Sequence, residues 1–354
     1  MMRKLLKKIF AAALAATFVF SMTACSQDNS WAMKSGDETI PIGAYICNLI
    51  MSHQSAVLKV DSTDNLFEQQ IDGKDASDWI KEDALTNTKS IIYLDNQMKE
   101  LNLSISEEEQ NQIENLTNSS WTQLETLFEQ HGVSKDSYQL AYSEYSVKLN
   151  KVFEAIYGKD GTQAVSDEEL KDFFNQHYTN FEYIIVPLFD VEQSSDGAET
   201  ALSEDEIAAA KKEFDDYAAN INSGSMTMEE AVEAYKNSDY AVAEDDVLQN
   251  VTVNFEDQST SFPAEFIELL NGMNVDEAKT IQLTMSMGDV YALAVKRDIA
   301  KAADEYMAVE SNRSSVLASM KADEFSNMLK EESAKLDVTL NESAINKYEP
   351  STMF

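Results

Sequence analysis

The sequence has few residues that form disulfides or bind metals, because its 354 residues include only two cysteines and three histidines. No cysteine pair or histidine cluster has the spacing of a metal site, so we expect neither a metal nor another cofactor. If Cys25 is modified as described below, Cys47 is the only free thiol and no intramolecular disulfide forms. Cys47 lies in an apolar run, which indicates a buried thiol. Stability must then come from burial, which about 330 mature residues can supply in two domains.

Basic residues are also scarce: 27 lysines and arginines face 63 aspartates and glutamates, and the net charge is −36. A chain this acidic is not expected to bind nucleic acid and is repelled by anionic headgroups and wall polymers. The acidity is consistent with simple solubility. It is equally consistent with a protein that repels unwanted surfaces while its apolar clefts stay free for unfolded clients.

The N-terminus reads as a bacterial lipoprotein signal. Arg3, Lys4, Lys7 and Lys8 form a positive segment, and 9–20 is an uncharged apolar run too short to span a bilayer. Met-Thr-Ala-Cys at 22–25 resembles the lipobox of signal-peptidase-II substrates. We therefore predict that 1–24 is removed, that Cys25 is lipidated, that 25–30 is a polar tether, and that the protein is anchored on the extracytoplasmic face of the cell membrane. An ordinary secretory signal and an uncleaved anchor are the alternatives.

A recurring helix-start signal indicates a helix-rich chain. Each occurrence has a hydroxyl residue followed three positions later by glutamate, the pattern of a capping box. The four occurrences are Ser106/Glu109, Ser166/Glu169, Ser203/Glu206 and Thr227/Glu230. Apolar spacing adds further helices over about 42–58, 80–101, 120–132 (with Leu124, Leu127 and Phe128 inward), 137–157, 204–222, 228–236 and 304–336.

A strand-rich interval lies between these helices. The run 181–189 is apolar, β-branched and aromatic, and 280–285 with 289–295 reads as an antiparallel hairpin. Residues 237–261 are interpreted as a connection leading to an apolar segment at 262–270. The sequence thus predicts an α+β, mostly helical protein with at least three strands in its central module. A short hairpin around Ser35-Gly36-Asp37 and a helix start at Pro41 are expected near the mature N-terminus.

The order of these motifs resembles the extracytoplasmic foldases of the PrsA and SurA type. The resemblance rests on the opening Gly36-Asp-Glu-Thr-Ile40, the helix starts near Ser106 and Ser166, the helix Glu230–Asp239 and the strand Gly288–Val295. It implies a SurA-N-like helical domain built from 31–178 and 301–354, with the C-terminal segment packing on the N-terminal one. The inserted module, 179–300, resembles a parvulin-type prolyl isomerase domain.

The module departs from the parvulin pattern at the positions that matter for catalysis. Parvulins place one histidine in the first strand and one in the last, facing a shared cleft. Here those positions read Tyr183 and Tyr291, or Ala292 if the last strand is shifted by one. Two hydroxyls keep a hydrogen-bonding pair but lose imidazole chemistry. The apolar candidates for lining the cleft are Phe262, Phe266, Met273 and Met285.

Three functions remain open on sequence alone. The first is a membrane-anchored chaperone that holds unfolded or newly secreted polypeptides with a weak or inactive parvulin-like module. The second, which the family resemblance implies, is an active peptidyl-prolyl cis-trans isomerase. The third is a non-catalytic envelope lipoprotein with another role; a solute-binding protein is disfavoured because no two-lobed α/β alternation is present. A homodimer is a further partner that the resemblance leaves open.

Overall fold

The computed structural model describes residues 30–60, 62, 64–189, 202–241, 247–256, 262–285 and 288–354. These residues divide into two compact units. The helical unit contains the chain up to Val152 together with Ser326–Phe354, and the sheet unit contains Phe153–Phe325. The predicted fold class, α+β and mostly helical, is confirmed.

The helical unit begins with a hairpin of β1 (Trp31–Ser35) and β2 (Glu38–Pro41). Gly36 makes the turn at φ +56°, a left-handed conformation that glycine adopts without a steric penalty. Helix α1 (Ile42–Val57) follows Pro41 directly, because the fixed φ of proline suits a helix start. The predicted hairpin and helix start are thus confirmed.

Helix α1 packs against α2 (Ala76–Glu100) and forms the core of the helical unit with it. Tyr45, Leu49 and Ile80 are fully buried between them. The intervening polar segment carries a second small hairpin, β3 (Gln70–Ile71) and β4 (Lys74–Asp75), which the sequence did not indicate.

The next helices differ from their predicted bounds. Helix α3 (Glu107–Gln130) is continuous, so the separate helix predicted from Ser120 is wrong, and no proline or glycine interrupts that stretch. Leu127 is 36% exposed rather than inward, whereas Phe128 is buried. The helix predicted over 137–157 is divided into α4 (Lys135–Tyr138), a π-helical stretch at Gln139–Glu144, and α5 (Tyr145–Tyr157).

In the described part of the sheet unit, β5 (Tyr178–Pro187), β6 (Gln249–Asn254), β7 (Ala278–Met285) and β8 (Gly288–Arg297) form a four-stranded antiparallel sheet in the order β6-β5-β8-β7. The elements of the unit in chain order are α6 (Asp167–His177), β5, α7 (Glu204–Asn222), α8 (Met228–Lys236), β6, α9 (Ala264–Asn271), β7, β8 and α10 (Ile299–Ala308). Strand β6 lies inside the segment interpreted as a connection, so that interpretation is wrong.

All four predicted capping boxes are present. In each, the hydroxyl of the N-cap residue accepts a hydrogen bond from the N3 backbone N–H, and the N3 glutamate accepts one from the N-cap backbone N–H. These contacts begin α3, α6, α7 and α8, because they satisfy donors that the first helical turn leaves unpaired.

The last part of the chain returns to the helical unit. Helix α11 (Glu310–Ala334) is separated from α10 by Val309, whose backbone is extended, so the helix predicted over 304–336 is interrupted. Strand β9 (Thr339–Leu340) pairs with β1, and α12 (Glu342–Ile345) and α13 (Pro350–Met353) follow. Glu349 pairs with Lys81 and accepts a hydrogen bond from Ser77, which fixes the C-terminal segment to α2.

The border between the two units falls within α5 and α11. The segments 153–178 and 301–325, which the sequence analysis assigned to the helical flanks, therefore belong to the sheet unit by their contacts. The rings of Phe174 in α6 and Tyr306 in α10 lie 5.0 Å apart, and both helices contact β5. Whether 179–300 folds independently stays a prediction.

Candidate functional site

The two faces of the central sheet differ in what covers them. Residues of a strand alternate between faces, so Phe181, Tyr183 and Ile185 share one side of β5 while Ile184 and Val186 share the other. The face of Tyr183 packs with α9 and is called the aromatic face below. The face of Ile184 is covered by α7 and α8.

Five aromatic rings form the centre of the aromatic face. Their centroids lie 5.5–6.2 Å apart in pairs, mostly edge to face, the geometry in which aromatic pairs attract. The rings belong to Phe181, Tyr183, Phe255, Phe262 and Phe266. Phe181 and Phe266 are buried, whereas the other three are partly exposed.

Partly exposed apolar side chains surround the buried centre of this face, and we call them the apolar rim. They are Tyr183, Ile185, Val251, Val253, Phe255, Phe262, Leu269 and Ile281. Each packs against the core on one side and reaches solvent on the other. The rim therefore offers apolar area that a bound polypeptide can cover.

Tyr183 is the polar residue of this rim. Burial raises the pKa of its phenol above the ordinary value. Among the described residues, none donates to or accepts from its hydroxyl. The hydroxyl is thus neutral at physiological pH, beside Phe262 and Phe266, and is able to donate one hydrogen bond to a ligand.

Tyr291 lies on the opposite face. Its hydroxyl donates to Asp215 Oδ1 at 2.8 Å and lies 3.0 Å from Thr280 Oγ1, and its ring packs with the core beneath α7. Burial and the nearby Asp215 carboxylate raise the pKa of Tyr291. The structure therefore does not bring Tyr183 and Tyr291 into a shared cleft, and the hydroxyl pair expected from the sequence does not form.

Of the residues of β8 that share the aromatic face, Val290, Ala292 and Ala294 are apolar, whereas Lys296, which is paired with Phe181, is charged. Ala292 and Ala294 belong to the cluster of Phe181 and Phe266, and Ala294 is paired directly with Tyr183. Of the two alternatives read from the sequence, Ala292 is the one on the same side as Tyr183. Lys296 is thus the donor side chain that β8 supplies to this face, and its Nζ donates to the backbone oxygens of Leu270 at 3.0 Å and Met273 at 3.2 Å.

The apolar candidates are only partly brought together. Phe262, Phe266 and Met273 all belong to the aromatic face, and Phe266 and Met273 are buried in its core. Met285 is 42% exposed at the end of β7 and lies outside that cluster. It lines a cavity of about 430 Å³ together with Asp289 and with Phe189, which belongs to the cluster of the aromatic face.

Sequence reasoning missed the contribution of β6. Val251, Val253 and the following Phe255 pack on the aromatic face. The signal was present, because Val251-Thr-Val253 is a run of three β-branched residues in a segment with no proline. The segment was overlooked because it is short and lies in a long polar stretch.

Two further features of the sequence analysis concern membranes and metals. Cys25 and the whole signal segment lie outside the described residues. Within the described ranges, no helix combines the length and apolar character needed to cross a bilayer. The same residues contain no group of three or more histidine, cysteine, aspartate or glutamate side chains placed to hold a metal ion.

The described chain is thus an α+β protein with an aromatic sheet face and an acidic exterior. No protein-family model matches it. No curated protein matches it either.

Two solved structures to which the chain is similar are both foldase proteins named PrsA. The one from Streptococcus pneumoniae str. Canada MDR_19A has 15% sequence identity and a TM-score of 0.39, over 74% of this chain and 87% of that chain. The one from Lactococcus lactis has 14% identity and a TM-score of 0.37, over 92% of this chain and 99% of that chain. Similarity at this level carries no argument about activity, which depends on the residues of this chain.

Proposed function

We propose that the protein is a membrane-anchored extracytoplasmic chaperone that holds unfolded or newly secreted polypeptides, with a prolyl isomerase activity that is weak or absent. The observation that carries this proposal is the apolar rim around the five rings of the aromatic face. A folded protein seldom leaves a contiguous apolar surface partly open unless something binds there.

Holding a client needs distributed apolar contact rather than one specific group. Apolar burial contributes roughly 25 cal/mol per Å², so a client covering about 200 Å² of the rim gains roughly 5 kcal/mol before ordering costs. The net charge of −36 repels other acidic surfaces and favours solubility. Together these two properties suit a holder of apolar segments.

The same face is poorly equipped for catalysis. Rotation about a peptide bond faces a barrier of about 18–20 kcal/mol, and only groups that bind the twisted state more tightly lower it. Tyr183 is the one polar side chain of the aromatic rings, and its neighbours across the strand pair are Ala292 and Ala294. The Lys296 ammonium on the same side of β8 is already bound to the backbone oxygens of Leu270 and Met273, so the phenol of Tyr183 supports weak differential binding at most.

An active isomerase is the second candidate, and one observation favours it. The Tyr183 hydroxyl has no partner among the described residues and lies beside Phe262 and Phe266, where a proline ring would pack. If neither holding nor isomerase activity exists, the role of a non-catalytic envelope lipoprotein remains.

The deciding experiment pairs an aggregation-suppression assay with a proline-limited refolding assay on the same mature protein. We expect suppression near stoichiometric concentration and little acceleration of refolding. Val251→Thr/Val253→Thr changes the rim with little change of volume, and the concentration for half suppression should rise at least about threefold, or about 0.7 kcal/mol.

A matched control is Leu58→Thr/Val275→Thr, which alters valine and leucine side chains that are 51% and 87% exposed elsewhere. This control should behave as the wild type. Efficient catalysis of refolding would replace the proposal with the isomerase reading, and equal effects of the two double variants would remove the aromatic face as the binding surface.

The anchoring part of the proposal depends on Cys25 and has its own test. Cys25→Ser should release the protein from the membrane fraction or leave it as an unprocessed precursor. Normal processing and membrane retention of this variant would contradict the lipid anchor without affecting the chaperone proposal.

A further inference from the structure

Strand β6 lies at the edge of the described sheet and presents different chemistry on its two sides. Val251 and Val253 belong to the apolar rim of the aromatic face. Asn250 and Thr252 point to the other side, where they line a cavity of about 540 Å³. An antiparallel edge strand also leaves alternate N–H and C=O groups directed away from the sheet, where another strand can pair with them.

The cavity beside β6 contains hydrogen-bonding groups with unused capacity. Asn180, which is 7% exposed, donates through Nδ2 to Asn250 Oδ1 at 3.0 Å and to Thr252 Oγ1 at 2.9 Å. Asn312 donates to the backbone oxygen of Tyr306 at 3.2 Å. A side-chain amide has an acceptor oxygen in addition to its NH2 donors, and a hydroxyl that accepts a hydrogen bond can also donate one. A ligand can therefore donate to the side-chain oxygens of Asn180 and Asn312 and accept from the hydroxyl of Thr252.

The cations of the cavity are already neutralised. Arg297 donates to Glu182 Oε2 through Nε at 3.0 Å and through Nη2 at 2.5 Å, and to Asp276 Oδ1 through Nη1 at 3.2 Å. Lys301 lies 3.6 Å from Asp298. An anionic side chain therefore gains no free counter-charge here, whereas a neutral amide or hydroxyl side chain finds both donors and acceptors.

We propose that a client binds as an additional strand along the β6 edge, with alternate side chains facing the aromatic face and the polar cavity. This inference rests on the proposed chaperone function and specifies its substrate class. The preferred client segment is extended and alternates apolar residues with neutral polar residues. Main-chain hydrogen bonds supply affinity that is independent of sequence. The aromatic face on one side of β6 and the polar cavity on the other favour client segments that alternate apolar and polar side chains.

Backbone-modified peptides test this mode without altering the protein. The parent is a nine-residue peptide that alternates valine or phenylalanine with glutamine or threonine. Two derivatives carry N-methyl groups on either the odd or the even residues, and a scrambled peptide has the same composition without alternation. Binding of each to the full mature chain is measured by fluorescence anisotropy.

Strand addition predicts that one of the two N-methylated derivatives binds at least about tenfold more weakly than the parent, because its methyl groups remove several main-chain hydrogen bonds to β6. The affinity of the other N-methylated derivative, whose methyl groups point away from β6, should stay within about threefold of the parent's affinity. The scrambled peptide should bind more weakly than the parent. Equal binding of the two N-methylated derivatives would overturn the proposal.

The side-chain preference has a separate test in the protein. Asn250→Leu replaces an exposed cavity residue of β6 and should abolish the preference for the alternating peptide over an entirely apolar one. An unchanged preference would contradict the role of the cavity. If none of the peptides binds the wild type, the proposed chaperone function fails; if the parent binds and both N-methylated derivatives match it, only the strand-addition mode fails.

Discussion

Tyr183 on β5 is paired directly with Ala294 on β8, and the next residue of β8 on the same face, Ala292, stands opposite Ile185. Aromatic rings, methyl groups and the Tyr183 phenol form the centre of this face, and Lys279 and Lys296 also lie on it. The hydroxyl of Tyr291 is occupied on the other side of the sheet by Asp215. The two tyrosines consequently have unrelated surroundings: Tyr183 lies in the partly exposed apolar rim, and Tyr291 links α7 to the sheet.

Removing each hydroxyl tests this difference in surroundings. Tyr291→Phe should lower the free energy of unfolding of the sheet unit by about 1–2 kcal/mol, because a hydrogen bond to a carboxylate is lost. Tyr183→Phe should change it by less than about 0.5 kcal/mol, since no described residue bonds to its hydroxyl. Urea unfolding of both variants measures the difference. A larger loss for Tyr183→Phe than for Tyr291→Phe would contradict the two assignments.

Lys148 holds a partly buried ion-pair cluster in the helical unit. Its side chain is 12% exposed and pairs with Asp95 and with Glu144. Lys148→Ala should cost about 2–3 kcal/mol, because two carboxylates lose their counter-charge in a poorly solvated site. Lys212→Ala is the control, since Lys212 is 73% exposed in its pair with Asp216 and should cost at most about 0.5 kcal/mol. Equal costs in urea unfolding would show that the cluster adds no stability.

The capping boxes predict how stability depends on acid. The Ser166 hydroxyl and backbone N–H lower the pKa of Glu169, and the same groups of Ser203 lower the pKa of Glu206. Between each lowered pKa and the ordinary glutamate value of about 4.3, the unfolded chain binds more protons than the folded one. This contribution to stability is therefore complete above that ordinary value and is lost as the pH falls through the folded pKa values.

The measurement is the urea midpoint at several pH values between about 5 and 3, spanning the ordinary glutamate value. Ser166→Ala/Ser203→Ala removes the hydroxyl donors, so its midpoint should fall less steeply with acid than that of the wild type. A parallel fall in the two proteins would assign the acid sensitivity to other carboxylates.

The unit border gives a prediction about fragments. A fragment of residues 153–325 should unfold cooperatively and at a higher temperature than a fragment of 179–300. The shorter fragment lacks Phe174 and Tyr306, whose rings pack together on the β5 side of the unit. Calorimetry of both fragments tests this. If 179–300 is equally stable, α6 and α10 contribute nothing to the sheet unit and the border predicted from sequence is sufficient.

Features that involve residues close together in sequence were predictable, whereas the pairing of strands distant in sequence was not. A capping box joins residues three positions apart, so all four could be recognised without knowing the fold. The turn at Gly36 was recognised for the same reason. The bounds of α3 were less predictable, because a long amphipathic helix without glycine or proline gives no signal for where an apolar stripe ends.

The candidate site depended on information that the sequence carries only weakly. Which face a strand residue occupies follows from the register between strands, and a shift of one residue exchanges the two faces. The sequence pattern favoured Tyr291 with Ala292 as the alternative, and only the pairing of β5 with β8 shows that Ala292 lies on the side of Tyr183. Phe262, Phe266 and Met273, predicted as cleft residues by their apolar character, all belong to the aromatic face, whereas Met285 lies beyond the edge of that cluster.

The pairing of Met33 in β1 with Leu340 in β9 has a consequence for the order of folding. The helical unit cannot be completed until nearly the whole chain has been made, whereas every residue of the sheet unit is available earlier. During synthesis from the N-terminus, the sheet unit is thus able to fold first. The helical unit, which contains α1 and α2, is complete only after β9 has been made. A nascent chain stalled before β9 would itself expose apolar helices, and so would briefly resemble the clients it is proposed to hold.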